Sequence, residues 1–375
     1  MREFVTGNDA VVRGALRAGC DFFAGYPITP ASSILTGFVE AFSGGGGVAV
    51  QTEDEIAAIG QCIGAAMSGA RALTASSGPG LSLYSENIGL AQMVEAPLVI
   101  VNCQRMGPAT GGATATGEGD VVFARHITAG SYPLPVLAAT DAPSAFRLTY
   151  EAFDIAEELR TPVILLLSKD ISLTRQTVDF DAVSLLPPIR RKIADPSAPF
   201  RPYEVEHVED IPAFAPIGGS LRVRATGSIH DENGVLTIDR AKIARKLEHL
   251  RAKIEHHGDR LEYVDADLDP DAESLLISYG VVDGAVRDAV ELVRTAGRSV
   301  SRLSLFSLWP MPVAAIRRAL GPKINRVIVP ELNIGLYADE LRKVIHGPII
   351  QSIRRFDGGL IAPRSIAEAV WESAA

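Results

Sequence analysis

The chain has 375 residues, of which 47% are hydrophobic and 22% charged, and its formal net charge is −9 at pH 7. This composition is typical of a globular protein, and the acidic balance argues against a nucleic-acid partner because such partners require clustered lysine and arginine. The length predicts two domains, since single hydrophobic cores rarely grow beyond about 250–300 residues. We see neither a signal-peptide pattern nor an uncharged apolar run of about 18 residues, so we expect a cytoplasmic protein without a membrane partner.

The first candidate site is a turn that follows an apolar run at residues 22–24. Its sequence is Gly25-Tyr26-Pro27-Ile28-Thr29-Pro30. We expect Thr29 to cap a helix that begins at Pro30 and ends near Phe42, because proline at the first helical position has no N–H to satisfy. Ligands of open α/β sheets lie at the carboxyl ends of strands, where helix N-termini favour anions. The turn is therefore a candidate ligand contact, and an ordinary capped turn is the alternative.

A carboxylate opens the next predicted helix, after a short strand at residues 48–51. Glu55 follows Thr52 at the spacing of a capping box, in which the carboxylate would accept a hydrogen bond from a backbone amide. The alternative is that Glu55, which lies beside the small residues Ala57 and Ala58, contacts a ligand. The sequence leaves both interpretations open.

Two further strand ends carry small or polar residues. A strand at residues 71–75 is followed by Ser76-Ser77-Gly78-Pro79-Gly80, where a ligand could approach the backbone. An apolar run at residues 97–102, typical of a strand buried on both faces, leads to Arg105. Its guanidinium needs a partner, either a carboxylate from elsewhere in the fold or that of a substrate. Residues 106–117 are rich in glycine, threonine and alanine and are predicted to form a mobile active-site loop.

The rest of the chain predicts a second, smaller α/β domain. Residues 187–219 are rich in proline and glycine and are predicted to form an irregular crossing between domains. A charged helix is predicted at residues 239–257. Its histidines are expected to be exposed to solvent: His249, His256 and His257. Beyond it, three predicted strands alternate with helices, which indicates a parallel sheet: residues 274–282, 300–308 and 326–330.

The three cysteines, Cys20, Cys62 and Cys103, are far apart and form no C-x-x-C pair. Each falls in an apolar helix or strand, so we expect buried structural thiols rather than metal ligands or disulfide partners. The spacing predicts no metal site on this chain, and an iron–sulfur cluster would have to lie on another chain.

Five motifs, taken in order and at their spacing, resemble one enzyme family. They are Tyr26-Pro27-Ile28-Thr29-Pro30, Glu55-Ile56-Ala57-Ala58, Thr74-Ala75-Ser76-Ser77-Gly78-Pro79-Gly80, Gln104-Arg105-Met106-Gly107-Pro108 and Pro330-Glu331-Leu332-Asn333. With these motifs the chain resembles the α subunit of 2-oxoacid:ferredoxin oxidoreductases, which are thiamine diphosphate enzymes that oxidatively decarboxylate 2-oxoacids to acyl-CoA. No single motif is decisive, but the combination is specific.

The resemblance implies a fold and a set of partners. Residues 1–230 would form a pyrimidine-binding domain with a parallel sheet, residues 231–268 a linker with the charged helix, and residues 269–375 a transketolase-C-like α/β domain. Thiamine diphosphate would be shared with a β subunit, whereas Mg²⁺ and at least one [4Fe–4S] cluster would lie on partner chains. Coenzyme A would be a co-substrate and ferredoxin the electron acceptor. A γ subunit, and a δ subunit as a further candidate, would complete a hetero-oligomer.

The resemblance also implies roles for individual residues. Glu55 would be the catalytic carboxylate that binds the aminopyrimidine ring of thiamine, with Glu53 as the other candidate. Thr29 and Arg105 would bind the carboxylate of the substrate. Further cofactor contacts are implied at two strand ends: Tyr26, Pro27, Ile28, Ser77 and Gly78.

One departure from the family pattern concerns the substrate. Many relatives carry Arg-Gly-Gly-Pro-Ser-Thr-Gly-Leu-Pro-Thr and then a basic residue, whereas this chain has Met106 in place of the first glycine and no basic residue at 112–117. The loop therefore offers no partner to a distal carboxylate, and the substrate is left as 2-oxoglutarate or another 2-oxoacid. Two alternatives stay open: a subunit of a non-oxidative two-chain thiamine-diphosphate decarboxylase or lyase, and a silent scaffold subunit.

Overall fold

A computed structural model describes residues 2–372, which form fourteen strands and twelve α-helices in three sheets. The strands are β1 Arg2–Thr6, β2 Phe22–Gly25, β3 Val48–Gln51, β4 Ala72–Ser76, β5 Leu98–Gln104, β6 Val136–Ala138, β7 Pro162–Ser168, β8 Arg175–Asp179, β9 Val264–Asp267, β10 Ser274–Ser278, β11 Ser301–Leu305, β12 Ser307–Trp309, β13 Arg326–Glu331 and β14 Ile349–Arg354. The helices are α1 Gly7–Arg17, α2 Ser32–Phe42, α3 Glu55–Met67, α4 Gly78–Met93, α5 Val121–Arg125, α6 Ala142–Leu159, α7 Lys169–Leu173, α8 Arg240–His256, α9 Val282–Thr295, α10 Val313–Ala319, α11 Leu336–Leu341 and α12 Pro363–Glu372.

The largest sheet has the strand order β12-β6-β7-β5-β4-β2-β3. All its neighbouring strands pair in parallel except β12, which joins the edge antiparallel to β6. Every residue of β4, β5 and β7 is buried, as expected for parallel strands that helices cover on both faces. The apolar run at residues 97–102 therefore predicted a central strand correctly.

Helices cover both faces of this sheet. On one face, α3 and α4 contribute Ile59 and Tyr84 to a core that continues into the second sheet. On the other face, α1, α2 and α6 pack around Phe23, Phe38 and Phe153, and the rings of Phe23 and Phe38 stack at 4.6 Å. The carboxyl ends of β2, β4 and β5 consequently lie along one edge, where the N-termini of α3 and α4 also begin.

The second sheet has the order β14-β13-β10-β11-β9, with β9 antiparallel at its edge and the other pairs parallel. α9 and α12 pack on it around Val286, Val290 and Ile366. The predicted single strand at residues 300–308 is wrong, because the chain leaves this sheet after β11 and enters the largest sheet as β12. The predicted α/β class with a smaller second sheet is confirmed, and each of these two sheets has one antiparallel edge strand. The third sheet is the antiparallel pair of β1 and β8.

The charged helix α8 is not solvated on all sides, contrary to the prediction. His249 is buried together with Lys246 and Lys253. All three contact the buried carboxylate of Glu95, with nitrogen–oxygen distances of 3.0 Å, 2.6 Å and 2.9 Å respectively. Their spacing of three and four residues places them on one helix face. The prediction holds for His256, which is exposed.

The segment between β8 and α8 contains no α-helix or strand in the described chain, as predicted for the crossing at residues 187–219. It is anchored by Arg191, whose Nε donates a hydrogen bond of 2.8 Å to Glu157. Within residues 2–372, no helix is long and apolar enough to span a membrane.

Candidate active site

The turn after β2 differs from its prediction at the start of the helix. α2 begins at Ser32, its N-cap residue is Ala31, and no side chain caps it. The predicted capping by Thr29, with Pro30 as the first helical residue, is therefore wrong, because the turn continues through Ala31 before the helix begins. Thr29 instead presents an exposed side chain at the strand edge. The preceding residues of the turn are exposed or half-buried: Tyr26, Pro27 and Ile28.

Glu55 is the first residue of α3, and its carboxylate takes no part in a helix cap. The N-cap residue is Asp54, whose Oδ1 accepts a hydrogen bond of 2.7 Å from the amide of Ala57. Thr52 donates its hydroxyl to the carbonyl oxygen of Asp54 at 2.8 Å. The capping-box interpretation, in which Thr52 is the N-cap residue, is therefore wrong, because Asp54 caps the helix.

Glu55 is a largely buried residue whose carboxylate has no partner within residues 2–372. The residue is 6% exposed, and within residues 2–372 its oxygens make no hydrogen bond or ion pair. Glu53, two residues earlier, is exposed. A carboxylate without a partner on a largely buried residue marks a position where a ligand could supply a hydrogen bond.

Gly80 leaves the space that the carboxylate of Glu55 occupies. A Cβ atom at residue 80 would lie 2.7 Å from Oε1 of Glu55 and would also collide with the hydroxyl of Ser76. Beside them, the hydroxyl of Tyr84 lies 2.8 Å from Oγ1 of Thr74, and burial raises the pKa of Tyr84. The carboxylate is thus packed between the starts of α3 and α4, at the carboxyl end of β4.

The first turn of α4 begins at Gly78, within the predicted ligand-approach segment after β4. Ser77 is the N-cap residue, yet its hydroxyl is buried and has no hydrogen-bond partner in the described chain. Gly78 packs against Asp120, because a Cβ atom at residue 78 would lie 3.2 Å from Oδ2 of that carboxyl group. Ser77 therefore offers an unused hydroxyl, whereas Gly78 allows close packing.

Arg105 is buried at the end of β5 and is bound by backbone carbonyls. Its Nη1 donates to the carbonyl oxygen of Thr29 at 2.7 Å, and its Nη2 donates to that of Thr110 at 3.0 Å. Its Nε has no partner, and none of the ion pairs within residues 2–372 involves it. The interpretation of Arg105 as half of a structural ion pair is therefore excluded within the described chain.

Arg105 lies in the wall of a cavity of about 110 Å³. The first turn of α4 forms one side of this cavity, residues 106–109 form another, and Asp120 and Phe123 close it. The structure thus brings together Arg105, the backbone of Thr29 and Gly78, which the sequence placed at three separate strand ends. Glu55 is not in the cavity wall and lies against Gly80, in the same first turn of α4.

Asn102, Gln104 and Asp120 form a hydrogen-bonded group that the sequence analysis missed. Nδ2 of Asn102 donates to Oδ2 of Asp120 at 2.8 Å, and the amide of Asp120 donates to Oε1 of Gln104 at 3.1 Å. Burial raises the pKa of Asp120, and the hydrogen bond from Asn102 opposes that rise. Two polar residues at the end of an otherwise apolar strand were the signal that could have found this group.

Glu118 joins the loop after β5 to the second sheet. Its Oε1 accepts a hydrogen bond of 3.0 Å from the amide of Val281, and its own amide donates to the carbonyl of Leu332 at 3.0 Å. Its carbonyl oxygen accepts from Nδ2 of Asn333 at 2.9 Å. Burial raises the pKa of Glu118 to about 8. The motif at residues 330–333 therefore holds the end of this loop.

The cysteines are buried free thiols, as predicted: Cys20, Cys62 and Cys103. Burial raises the pKa of Cys62 and of Cys103 to about 12, so both thiols stay protonated at neutral pH. Within residues 2–372, no group of three or more histidine, cysteine, aspartate or glutamate side chains could hold a metal ion.

Comparison with known proteins shows which family shares these features. The family model described as pyruvate flavodoxin/ferredoxin oxidoreductase, thiamine diphosphate-binding, matches residues 13–249. The model described as pyruvate:ferredoxin oxidoreductase core domain II matches residues 272–366. The chain belongs to the 2-oxoacid:ferredoxin oxidoreductase family. The resemblance inferred from the five sequence motifs is thereby confirmed. The candidate site and all strands of the largest sheet except β12 fall within the match to the thiamine-diphosphate-binding model.

Curated members of the family match this chain along almost its full length. The 2-oxoglutarate synthase subunit KorA of Archaeoglobus fulgidus is 39% identical over 368 residues, covering 98% of each chain. The ketoisovalerate oxidoreductase subunit VorB of Methanothermobacter thermautotrophicus is 33% identical over 380 residues, covering 99% of this chain and 98% of its own. The family members named for different 2-oxoacids are therefore similar to this chain at comparable identity.

Two solved structures have the same fold. The 2-oxoglutarate:ferredoxin oxidoreductase of Magnetococcus marinus, solved with 2-oxoglutarate, coenzyme A and succinyl-CoA bound, superposes with a TM-score of 0.91 at 32% identity. It covers all of this chain, which spans 65% of the length of that one. A split-gene transketolase, an inactive β4 tetramer, has a TM-score of 0.53 at 12% identity and covers 98% of this chain and 96% of its own. That second likeness concerns the fold alone and agrees with the predicted transketolase-like architecture.

Proposed function

We propose that this chain is the α subunit of a CoA-acylating 2-oxoacid:ferredoxin oxidoreductase, in which it binds the aminopyrimidine ring of thiamine diphosphate and the carboxylate of the 2-oxoacid. The carboxylate of Glu55, which belongs to a largely buried residue and has no partner in the described chain, is the observation that carries the proposal. When bound, thiamine diphosphate supplies a carbon nucleophile for the 2-oxo group and an electron sink for decarboxylation.

Glu55 fits this cofactor because an aminopyrimidine ring offers a basic nitrogen to a carboxyl group. The hydrogen bond between them would orient the ring and hold a proton at that nitrogen. The space beside Gly80 and the unpartnered hydroxyl of Ser77 support a ligand at this strand edge. Glu53 is exposed, so we assign the contact to Glu55. The remaining proposed cofactor contacts are Tyr26, Pro27, Ile28 and Gly78.

Arg105 is proposed to bind the substrate carboxylate together with the hydroxyl of Thr29. A guanidinium has five N–H donors, of which backbone carbonyls take two here, so three remain. Because no carboxylate in the described chain pairs with Arg105, an anionic substrate would gain charge-assisted hydrogen bonds without displacing one.

A β subunit is proposed to pack on the exposed side of α3 and α4. Ile56 of α3 and Leu83 of α4 are both about half exposed, at 51% and 47%. Gly60 and Gly64, at four-residue spacing after Ile56, open onto empty space, as in a surface that another helix can approach closely. This partner would complete the cofactor site and carry Mg²⁺ and the [4Fe–4S] cluster, since the cysteines of this chain are buried thiols.

The rest of the proposal follows the family pattern. Coenzyme A would accept the acyl group, ferredoxin the electrons, and a γ subunit, with a δ subunit as a further candidate, would complete a cytoplasmic hetero-oligomer. We retain as proposals the division into a pyrimidine-binding domain at residues 1–230, a linker at 231–268 and a transketolase-C-like domain at 269–375.

The test uses the complex purified anaerobically from its host or reconstituted from its subunits. We expect bound thiamine, an iron–sulfur absorption spectrum, and ferredoxin reduction that requires both a 2-oxoacid and coenzyme A. Glu55→Gln should lower kcat by about 10²- to 10⁴-fold while the cluster spectrum stays unchanged. Glu53→Gln, two residues away and exposed, is the matched control.

The two alternative functions give different results in the same experiment. A complex that decarboxylates a 2-oxoacid but contains no cluster would be a non-oxidative decarboxylase or lyase. Unchanged turnover in the Glu55→Gln complex would identify the chain as a scaffold subunit.

A further inference from the structure

We infer that the substrate is a 2-oxoacid with an uncharged side chain, and that Asp120 is a specificity-determining residue that disfavours a second, distal carboxylate. The inference rests on the proposed function and narrows its substrate class. It is drawn from the charges and the shape of the cavity beside Arg105.

The wall of this cavity contains one basic and one acidic side chain, Arg105 and Asp120. Apart from Ser82, the other lining side chains are apolar or absent, among them Met106, Pro108 and Phe123. Since the cavity measures about 110 Å³, a substrate side chain that enters it would contact these apolar groups directly. Such a wall favours an alkyl side chain, because polar groups lose hydration there without gaining a partner.

Arg105 can satisfy one carboxylate but not two. Backbone carbonyls of Thr29 and Thr110 hold both of its terminal nitrogens, so the guanidinium is fixed in orientation. If its free N–H groups bind the carboxylate next to the 2-oxo group, a distal carboxylate finds no other basic side chain in the lining of this cavity within residues 2–372.

Asp120 is fixed where a distal carboxylate would meet it. Asn102 donates to its Oδ2 at 2.8 Å, and the same oxygen packs against Gly78. Its backbone is held by Gln104, at 3.1 Å. Two carboxylates in one small cavity repel each other unless one takes up a proton. Burial already raises the pKa of Asp120, and a second carboxylate close to it would raise that pKa further.

The experiment compares kcat/KM of the anaerobic αβ complex for pyruvate, 2-oxobutyrate, 2-oxoisovalerate and 2-oxoglutarate, with coenzyme A and ferredoxin. We expect at least one uncharged substrate to exceed 2-oxoglutarate by about tenfold or more. A preference for 2-oxoglutarate would overturn the inference and leave the proposed function intact. No turnover with any 2-oxoacid in a complex that contains thiamine and clusters would overturn the proposed function itself.

Variants of Asp120 and Met106 test the roles of the acidic side chain and of the apolar cavity wall. Asp120→Asn keeps the acceptor for Asn102 and removes the charge, so the ratio of kcat/KM for 2-oxoglutarate over the best uncharged substrate should rise about tenfold, chiefly through KM. Met106→Lys should raise the same ratio and Met106→Gln should not. Asp288→Asn, an exposed residue of α9, controls for net charge.

Each ratio is measured on a single preparation, so a fraction of misfolded enzyme cancels. If the ratio stays at the wild-type value in both Asp120→Asn and Met106→Lys, these residues do not select the substrate and the inference is wrong. If the ratio rises in Met106→Lys but not in Asp120→Asn, the apolar wall selects the substrate and Asp120 does not.

Discussion

Nη1 of Arg105 donates a hydrogen bond of 2.7 Å to the carbonyl oxygen of Thr29, although 76 residues separate them in the chain. Nη2 of the same side chain reaches the carbonyl of Thr110 at 3.0 Å. Arg105 thereby joins the turn after β2 to the loop after β5. It does so through backbone dipoles, so its positive charge stays available to an anion.

Replacing Arg105 by methionine should raise KM for the 2-oxoacid by about 10- to 150-fold, because about 1.5–3 kcal/mol of charge-assisted hydrogen bonding is lost. The effect on kcat should be smaller, since the proposed role of the side chain is to bind the substrate rather than to move a proton. Steady-state kinetics of the reconstituted complex measure both constants. Arg222→Met, which removes an exposed guanidinium, is the control, and an unchanged KM in Arg105→Met would contradict the assignment.

Gly80→Ala should destabilise the chain and lower its thiamine content. The added Cβ atom would lie 2.7 Å from Oε1 of Glu55, so the carboxylate or the first turn of α4 must shift, at a cost of about 1–3 kcal/mol. Gly284→Ala in α9 is the matched control, because it meets nothing within 4 Å and should stabilise its helix slightly. Urea denaturation and thiamine analysis provide the readouts. Equal stability of the two variants would show that Gly80 does not define the space beside Glu55.

Glu118→Gln should change how stability depends on pH. Burial raises the pKa of Glu118 from 4.5 to about 8, so the folded chain keeps a proton that the unfolded chain releases. The stabilisation from this group is complete below pH 4.5 and is lost as the pH rises to about 8, by about 1.4 kcal/mol per unit. The glutamine variant does not titrate and keeps an acceptor for the amide of Val281.

The variant should therefore gain stability relative to wild type as the pH rises through this window. Free energies of unfolding from urea titrations across the window measure the difference. Asp288→Asn, an exposed residue, should follow the wild-type profile. Parallel profiles for Glu118→Gln and wild type would mean that Glu118 is already ionised in the folded chain.

Glu95→Gln should destabilise the chain by about 3–5 kcal/mol at neutral pH, because it leaves buried ammonium groups of Lys246 and Lys253 without their counter-charge. Burial acts to raise the pKa of Glu95, but the two lysines and His249 hold it well below its usual value. Its stabilising contribution is thus present at neutral pH and is lost on acidification. Glu248→Gln removes one partner of an exposed ion pair on α8, the helix of the two lysines, and should cost less than about 1 kcal/mol of stability. Similar losses of unfolding free energy in the two variants would contradict the assignment of Glu95, Lys246 and Lys253 to a buried charged cluster.

The sequence predicted the fold where local pattern determines structure. Uninterrupted apolar runs such as residues 97–102 correspond to strands covered on both faces, and several of the small or polar residues beyond their carboxyl ends lie together at the candidate site. Glu55 and Arg105 were both recognised as residues with two possible roles. The structure removed one role from each, since Asp54 caps α3 and no carboxylate of the described chain reaches Arg105.

The errors arose where partners are distant in sequence. His249 lies in a charged segment that looks solvated, and its burial depends on Glu95, 154 residues earlier. Residues 300–308 were predicted to form one strand, yet Ser307 and the residues after it pair with β6 in another sheet. Asp120 and Glu118 follow a loop without periodicity, so no local pattern could indicate what they contact.

The hydrogen bonds that the amide of Val281 and Nδ2 of Asn333 donate to Glu118 have a consequence for protein engineering. A chimaera that combines residues 13–249 of this chain with the second sheet of a relative would replace the partners that hold the end of the loop beside the cavity at Arg105. Its substrate range could change although every residue lining that cavity was inherited unaltered. Exchange of the second sheet is therefore expected to preserve the loop only when residue 118 and residues 330–333 come from the same parent.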